Sequence, residues 1–85
     1  MTHLIRRPQV IEGFGISKTT LFTRIQEGLI PPPISLGGRA VAWPSDEIEQ
    51  VISFFILEKP ISEIKILVSQ LVATRQERYS NLGKK

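Results

Sequence analysis

The 85-residue sequence carries a net charge of +3, a pI of about 9.7, a single histidine and no cysteine. A chain of that length makes one small domain with a marginal core, and without cysteine it has neither a disulfide framework nor a thiolate metal site. Its most apolar run, Val51 to Leu57, is far too short to cross a bilayer and is interrupted by Ser53, so a cytoplasmic protein with no membrane partner is expected.

Charge is unevenly distributed. Residues 1–44 hold Arg6, Arg7, Lys18, Arg24 and Arg39 against Glu12 and Glu27, a net +3. Residues 45–64 hold Lys59 against Asp46, Glu47, Glu49, Glu58 and Glu63, a net −4, and residues 65–85 return to +4. The basic N-terminal half is therefore where a polyanion would bind.

In chain order, Met1 to Ile5 reads as extended or frayed. Pro8 suits the first turn of a helix, where its missing N–H costs nothing, and Pro8 to Glu12 forms a short helix ending at Gly13 or Phe14. Gly15-Ile16-Ser17 is a tight turn into a second helix, with Ser17 as the N-cap. That helix runs to Gln26 and stops at Glu27-Gly28, a normal glycine terminus. Taking Leu21 and Ile25 as its inward pair sends Thr19 and Thr23 to the opposite side. Thr20 and Arg24 flank that outer face on one side and Phe22 on the other. Two helices joined by three residues with a glycine fit a helix-turn-helix.

Pro31-Pro32-Pro33 forces an extended connector. Ile34 to Leu36 and Arg39 to Trp43 then flank Gly37-Gly38, a pattern that predicts a β-hairpin lying against the helices. Arg39 stands at its tip, as on a DNA-binding wing. Trp43 reads as core. Ser45 reads as the N-cap of a third helix whose first turn, Asp46 and Glu47, suits the helix dipole. Ile48, Val51, Ile52, Phe55 and Ile56 give it an apolar face to about Glu58. This acidic helix is expected to close the core away from DNA.

Lys59-Pro60 breaks the pattern. From Ile61 or Ser62 to about Ser80 a further helix follows, in which Leu57, Ile61, Ile64, Val68 and Leu71 make the seam of a short coiled coil. It must pack back on the domain or pair with another copy. Asn81 to Lys85 reads as a frayed tail. The expected division is a DNA-binding domain over 1–58 and an oligomerisation element over 59–85.

The chemistry of the second helix points to nucleic acid. Thr19, Thr20 and Thr23 are poor helix formers with no evident packing role, and threonine can bond a phosphate or a base edge and offer a methyl to thymine. Lys18, Arg24, Arg6 and Arg7 are placed to neutralise phosphates, Arg39 to reach the backbone or minor groove, and Ser17 to cap the helix before touching a phosphate. Gly37-Gly38 lacks the lysine and helix start of a phosphate-binding loop. His3 has no acid or metal partner and reads as surface. With no nucleophile beside a base and no paired acids in the basic half, the sequence predicts neither catalysis nor a cofactor or metal site.

Five blocks carry a family resemblance: Arg6 to Val10, Gly15 to Phe22, Glu27 to Pro33, Leu36 to Trp43, and Asp46 to Ile48. In that order they resemble the AlpA-type prophage regulators, small winged-helix proteins related to excisionases and the MerR DNA-binding fold. The similarity covers roughly residues 5–57. It departs at Arg7, where the family often has an aliphatic residue, and at Val51, where tryptophan is frequent; the helix after Pro60 lies outside it.

The fold class expected is mainly α with a small β-hairpin, a winged helix-turn-helix plus a C-terminal helix. The resemblance implies a regulator binding double-stranded DNA sequence-specifically, with the second helix in the major groove. One module buries roughly 600–1,000 Å² on DNA, so a dimer or higher homo-oligomer through Ile61, Ile64, Val68 and Leu71 is expected. Two alternatives stand beside a transcription regulator. One is an excision directionality factor working with a recombinase; the other is a protein-interaction module acting through the C-terminal helix.

Overall fold

The computed structural model describes residues 2–80; the tail expected at 81–85 lies outside them. Eight elements follow one another: strand β1 (Leu4–Ile5), helices α1 (Arg7–Phe14) and α2 (Lys18–Gln26), strands β2 (Ile34–Gly37) and β3 (Ala40–Pro44), and helices α3 (Ser45–Ile56), α4 (Ile61–Ala73) and α5 (Arg75–Ser80). This is the helical fold with a small antiparallel sheet that the sequence predicts, with β1 added. The sheet has the order β1-β3-β2, pairing Leu4 with Pro44 and Ile5 with Trp43 on one side of β3, and Ile34 with Ala42 on the other.

Both helices of the helix-turn-helix end in the same way. Gly15 and Gly28 sit at φ of 68° and 79°, a left-handed geometry that glycine adopts without steric cost. At the first, the Ile16 N–H reaches back to the Ile11 carbonyl; at the second, the Leu29 N–H reaches the Arg24 carbonyl. These six-to-one bonds close the last turns and aim Ile16 and Leu29 inward. Helix α1 begins one residue earlier than expected, at Arg7, and continues to Phe14.

Two apolar clusters share the interior. In the first, Val10, Leu21, Ile30, Trp43 and Ile48 bring α1, α2, the connector, the sheet and α3 together. Trp43 is buried there and donates from its indole nitrogen to the Pro31 carbonyl at 2.8 Å, which fastens the proline connector to the hairpin. In the second, Leu29 and Val51 are covered by Ile64, Val68 and Leu71. Phe14 touches both clusters and meets Phe55 edge-on, ring centroids 6.0 Å apart.

Several expectations are corrected. Ile64, Val68 and Leu71, expected to meet a second copy, are buried against this chain's own α3; of the four, Ile61 alone stays largely exposed. The alternative that the helix packs back is the one realised, and α4 shares a core with Leu29 and with Val51 of α3. The hairpin turn falls at Gly38-Arg39 instead of Gly37-Gly38. An irregularity between Ser35 and Gly37, where the Gly37 N–H bonds the Ser35 hydroxyl, carries β2 one residue further. Ser45 is the first residue of α3 and not its cap. Its hydroxyl instead accepts from the His3 amide at 2.9 Å, and its own amide donates to the His3 carbonyl at 2.7 Å. These bonds prolong the β1–β3 ladder, so residues 3–5 are held and not frayed.

The single helix expected from residue 61 or 62 to 80 is divided at Thr74. Its hydroxyl donates back to the Gln70 carbonyl at 2.7 Å, which accepts the Thr74 amide as well, at 3.0 Å. Beyond Thr74, α5 places Arg75 and Arg78 on Glu47. Arg75 meets that carboxylate through Nη2 at 2.7 Å and Nε at 3.0 Å, and Arg78 through Nη2 at 2.9 Å. Arg75 also donates to the Pro32 carbonyl, Arg78 to the Leu71 carbonyl, and the Tyr79 hydroxyl to Asp46. The acids at the start of α3 therefore face the C-terminal arginines.

Candidate nucleic-acid interface

Helix α2 is positioned by its inner face. Leu21 is buried and Ile25 packs against the first cluster, which leaves Lys18, Thr19, Phe22, Thr23 and Gln26 exposed along the other side. Thr19 and Thr23 lie one turn apart, as their spacing predicts. The Thr23 hydroxyl donates to the Thr19 carbonyl at 3.1 Å. That bond fixes the rotamer and leaves the Thr23 oxygen free to accept, with its methyl beside it. Such a pair presents acceptors and methyl groups to an approaching groove edge.

Ser17 and Thr20 form a closed unit at the helix start. The Thr20 amide donates to the Ser17 hydroxyl at 3.1 Å, and that hydroxyl donates to the Thr20 oxygen at 2.9 Å. Thr20 is half-buried and belongs to the cap more than to the outer face. Of the three threonines, Thr19 and Thr23 are the two that stand clear.

The N-terminal arginines lie on the flank that Phe22 marks. The Arg7 guanidinium rests over the Phe22 ring, 5.3 Å from its centroid, a favourable cation–π geometry. Arg6 donates from Nε to the Val41 carbonyl at 2.9 Å, and its own amide donates to the Gln9 side chain. Arg39 comes back from the hairpin turn to the same place. Arg6, Arg7, Pro8, Arg39 and Val41 line one recess of about 150 Å³. The structure thus gathers three of the cations predicted for DNA contact, from two ends of the fold, beside α2.

Arg24 is not with them. It is half-buried and lines a groove of about 390 Å³ with Phe14, Ile16, Ile30, Ile52, Phe55 and others, on the far flank of α2. Lys18 stands exposed in the first turn, between the two flanks.

Sequence reasoning missed the Arg7–Phe22 stack and the tie from Arg6 to the wing. Phe22, expected only on the flank of the outer face, is 44% exposed and has a cation as its partner. The available signal was an aromatic residue on the flank of a polar helix face in a segment rich in arginine.

The electrostatic contrast within the molecule is sharp. Among the described residues, every ion pair uses Arg75 or Arg78, with Glu47 or Asp46 as the acid. Arg6, Arg7, Lys18, Arg24 and Arg39 have no carboxylate within ion-pair distance among the described residues. Arg75 and Arg78 are thus tied into the fold by carboxylates, whereas the cations around α2 are not. No group of three or more His, Cys, Asp or Glu side chains among the described residues could hold a metal ion, and no helix there is long and apolar enough to cross a membrane.

Comparison with known proteins places these features. The chain is 41% identical over 44 residues to an uncharacterized protein, ORF88, of Enterobacteria phage P4, a match covering 52% of this chain. The chain spans about half the length of that curated relative. No solved structure matches. The family model described as prophage CP4-57 regulatory protein (AlpA) matches residues 3–56, which takes in β1, the helix-turn-helix, the hairpin and α3, and the chain belongs to that AlpA family.

Proposed function

We propose that the chain is a sequence-specific DNA-binding regulator of prophage or mobile-element genes that lays α2 in the major groove. The observation that carries this reading is the unpaired state of Arg6, Arg7, Lys18 and Arg39 around an exposed threonine face, in a fold that pairs its C-terminal arginines internally. Phosphate neutralisation supplies sequence-independent affinity, so cations kept free of carboxylates are the ones available for it. Thr19 and Thr23 take the base-edge role, and Arg39 on the wing reaches the backbone or minor groove beside them.

The burial of Ile64, Val68 and Leu71 withdraws the seam residues from a partner, which favours DNA binding over a protein-interaction module acting through the C-terminal helix. A transcription regulator and an excision directionality factor would use the same surface. Footprints on promoters or on attachment sites distinguish the two.

Selection of bound sequences from a random duplex pool at two salt concentrations tests the reading. A defined consensus is expected. Lys18→Ala should weaken binding uniformly across sequences and reduce the salt slope by about 1. Thr19→Ala with Thr23→Ala should change the selected consensus while leaving that slope in place. Equal affinity for all duplexes, or a slope indifferent to Lys18, would count against it.

A further inference from the structure

We propose that the recess between the start of α1 and the wing turn is a phosphate site, in which Arg6, Arg7 and Arg39 jointly grip one phosphodiester of the DNA backbone. The proposal rests on the reading of the chain as a DNA-binding protein and adds a single shared anchor to it. Three observations converge there. Three arginines border the recess and no acidic side chain lines it, so a cationic concavity is left without a carboxylate of its own. The Arg7 Nε–H is withdrawn from solvent and has no hydrogen-bond acceptor. An unpartnered buried donor is costly, more so on a charged group, and an incoming oxyanion is the acceptor such a donor lacks.

The third observation is rigidity. Stacking on Phe22 holds the Arg7 plane, and the bond from Arg6 Nε to the Val41 carbonyl holds Arg6 while leaving its terminal nitrogens available. Guanidinium groups fixed in this way match the oxygens of a phosphate by parallel hydrogen bonds. The consequence is geometric. Arg7 is tied to α2 through Phe22, and Arg39 belongs to the wing, so one phosphate bound by both sets the wing against the reading helix.

Two arms test it on the full chain. In the first, inorganic phosphate is titrated into isotopically labelled protein while the arginine Nε–H resonances are followed. The Arg7 signal should shift and saturate, and Arg39→Ala should abolish the shift. In the second, salt slopes are measured on the selected duplex for Arg7→Leu, Arg39→Ala and the double variant. Sharing of one phosphate predicts that the double variant loses about one unit of slope and not two, and that ethylation of one backbone phosphate makes wild type and double variant bind alike. A loss of two units, with two separate phosphates sensitive to ethylation, overturns the shared clasp and leaves DNA binding intact. An Arg7 signal unmoved by either phosphate or DNA overturns the site itself. Phosphate binding without any DNA binding overturns both the assignment to the DNA backbone and the functional reading on which it rests. The first arm on wild-type protein requires no substitution, so a variant that fails to fold does not shield the proposal.

Discussion

Glu47 is fully buried and still ionically paired, and the side chains around it set the chemistry where α3 meets α5. Burial alone would lower the Arg78 pKa, but its hydrogen bonds to Glu47 and Tyr79 outweigh that and raise it. The Tyr79 phenol is pushed up from 10.0 to about 12, first by burial and then by the bond it donates to Asp46. The folded chain holds that proton more tightly than the unfolded one. Its contribution is therefore complete below pH 10 and is lost as pH climbs from 10.0 towards about 12. Tyr79 is the one tyrosine in the sequence, so phenolate absorbance reads it alone. A folded-state midpoint near 12 is expected, together with a shallower alkaline loss of stability in Tyr79→Phe; a midpoint at 10.0 in the folded protein would refute the assignment. Residue roles were legible in the sequence where the partner is local. The Ser17 cap and the outward turn of Thr19 and Thr23 follow from spacing. Glu47 was readable only as a dipole-favoured acid, because its arginines come 28 and 31 residues later and nothing in the pattern joins them.

At the scale of elements, an apolar seam announces that it must be covered without saying by what. The spacing of Ile64, Val68 and Leu71 was plain, but their cover is Leu29, delivered by the glycine turn after α2, and Val51 of α3. Short-range signals such as proline breaks and glycine termini gave most element ends to within a residue or two. The exceptions were β1, which has too few residues to show alternation, and the division at Thr74, where neither glycine nor proline marks the break. That division matters because α5 is held to α3 by charge more than by apolar contact; none of its residues is buried. Arg75→Ala with Arg78→Ala would strand Glu47 in the interior without a counter-charge, at a cost of about 3–5 kcal/mol. Urea denaturation should read that loss. Adding Glu47→Met to the same chain should recover most of it, since apolar replacement of a buried ion cluster is commonly near neutral. A double variant as stable as wild type would mean that the carboxylate reaches water or takes up a proton at little cost.

For the whole molecule, segment charge was legible and its deployment was not. The 65–85 segment carries a net +4 in the sequence, yet the fold pairs its Arg75 and Arg78 with Glu47 and Asp46, which sets them apart from the cations around α2. The same economy bears on assembly. A lone module buries roughly 600–1,000 Å² on DNA, which is small for a specific operator, and the seam that would have joined two copies is folded inward. Among the apolar side chains that stay outside are those at the corner between α3 and α4, where Ile56, Leu57 and Ile61 are 74%, 65% and 48% exposed. A patch of three side chains is too small for a stable dimer of free chains, but it suffices for cooperation between copies already held on one duplex, where effective concentration is high. The expected behaviour is a monomer in light scattering at micromolar concentration and cooperative occupancy of two half-sites about one helical turn apart. Leu57→Glu should abolish the cooperativity and leave affinity for a single half-site unchanged, because residue 57 is at the opposite end of α3 from the wing. A free dimer that survives Leu57→Glu would require another interface. Non-cooperative filling of paired sites by the wild type would mean that each copy reads its site alone, and that the clasp at Arg6, Arg7 and Arg39 carries more of the affinity.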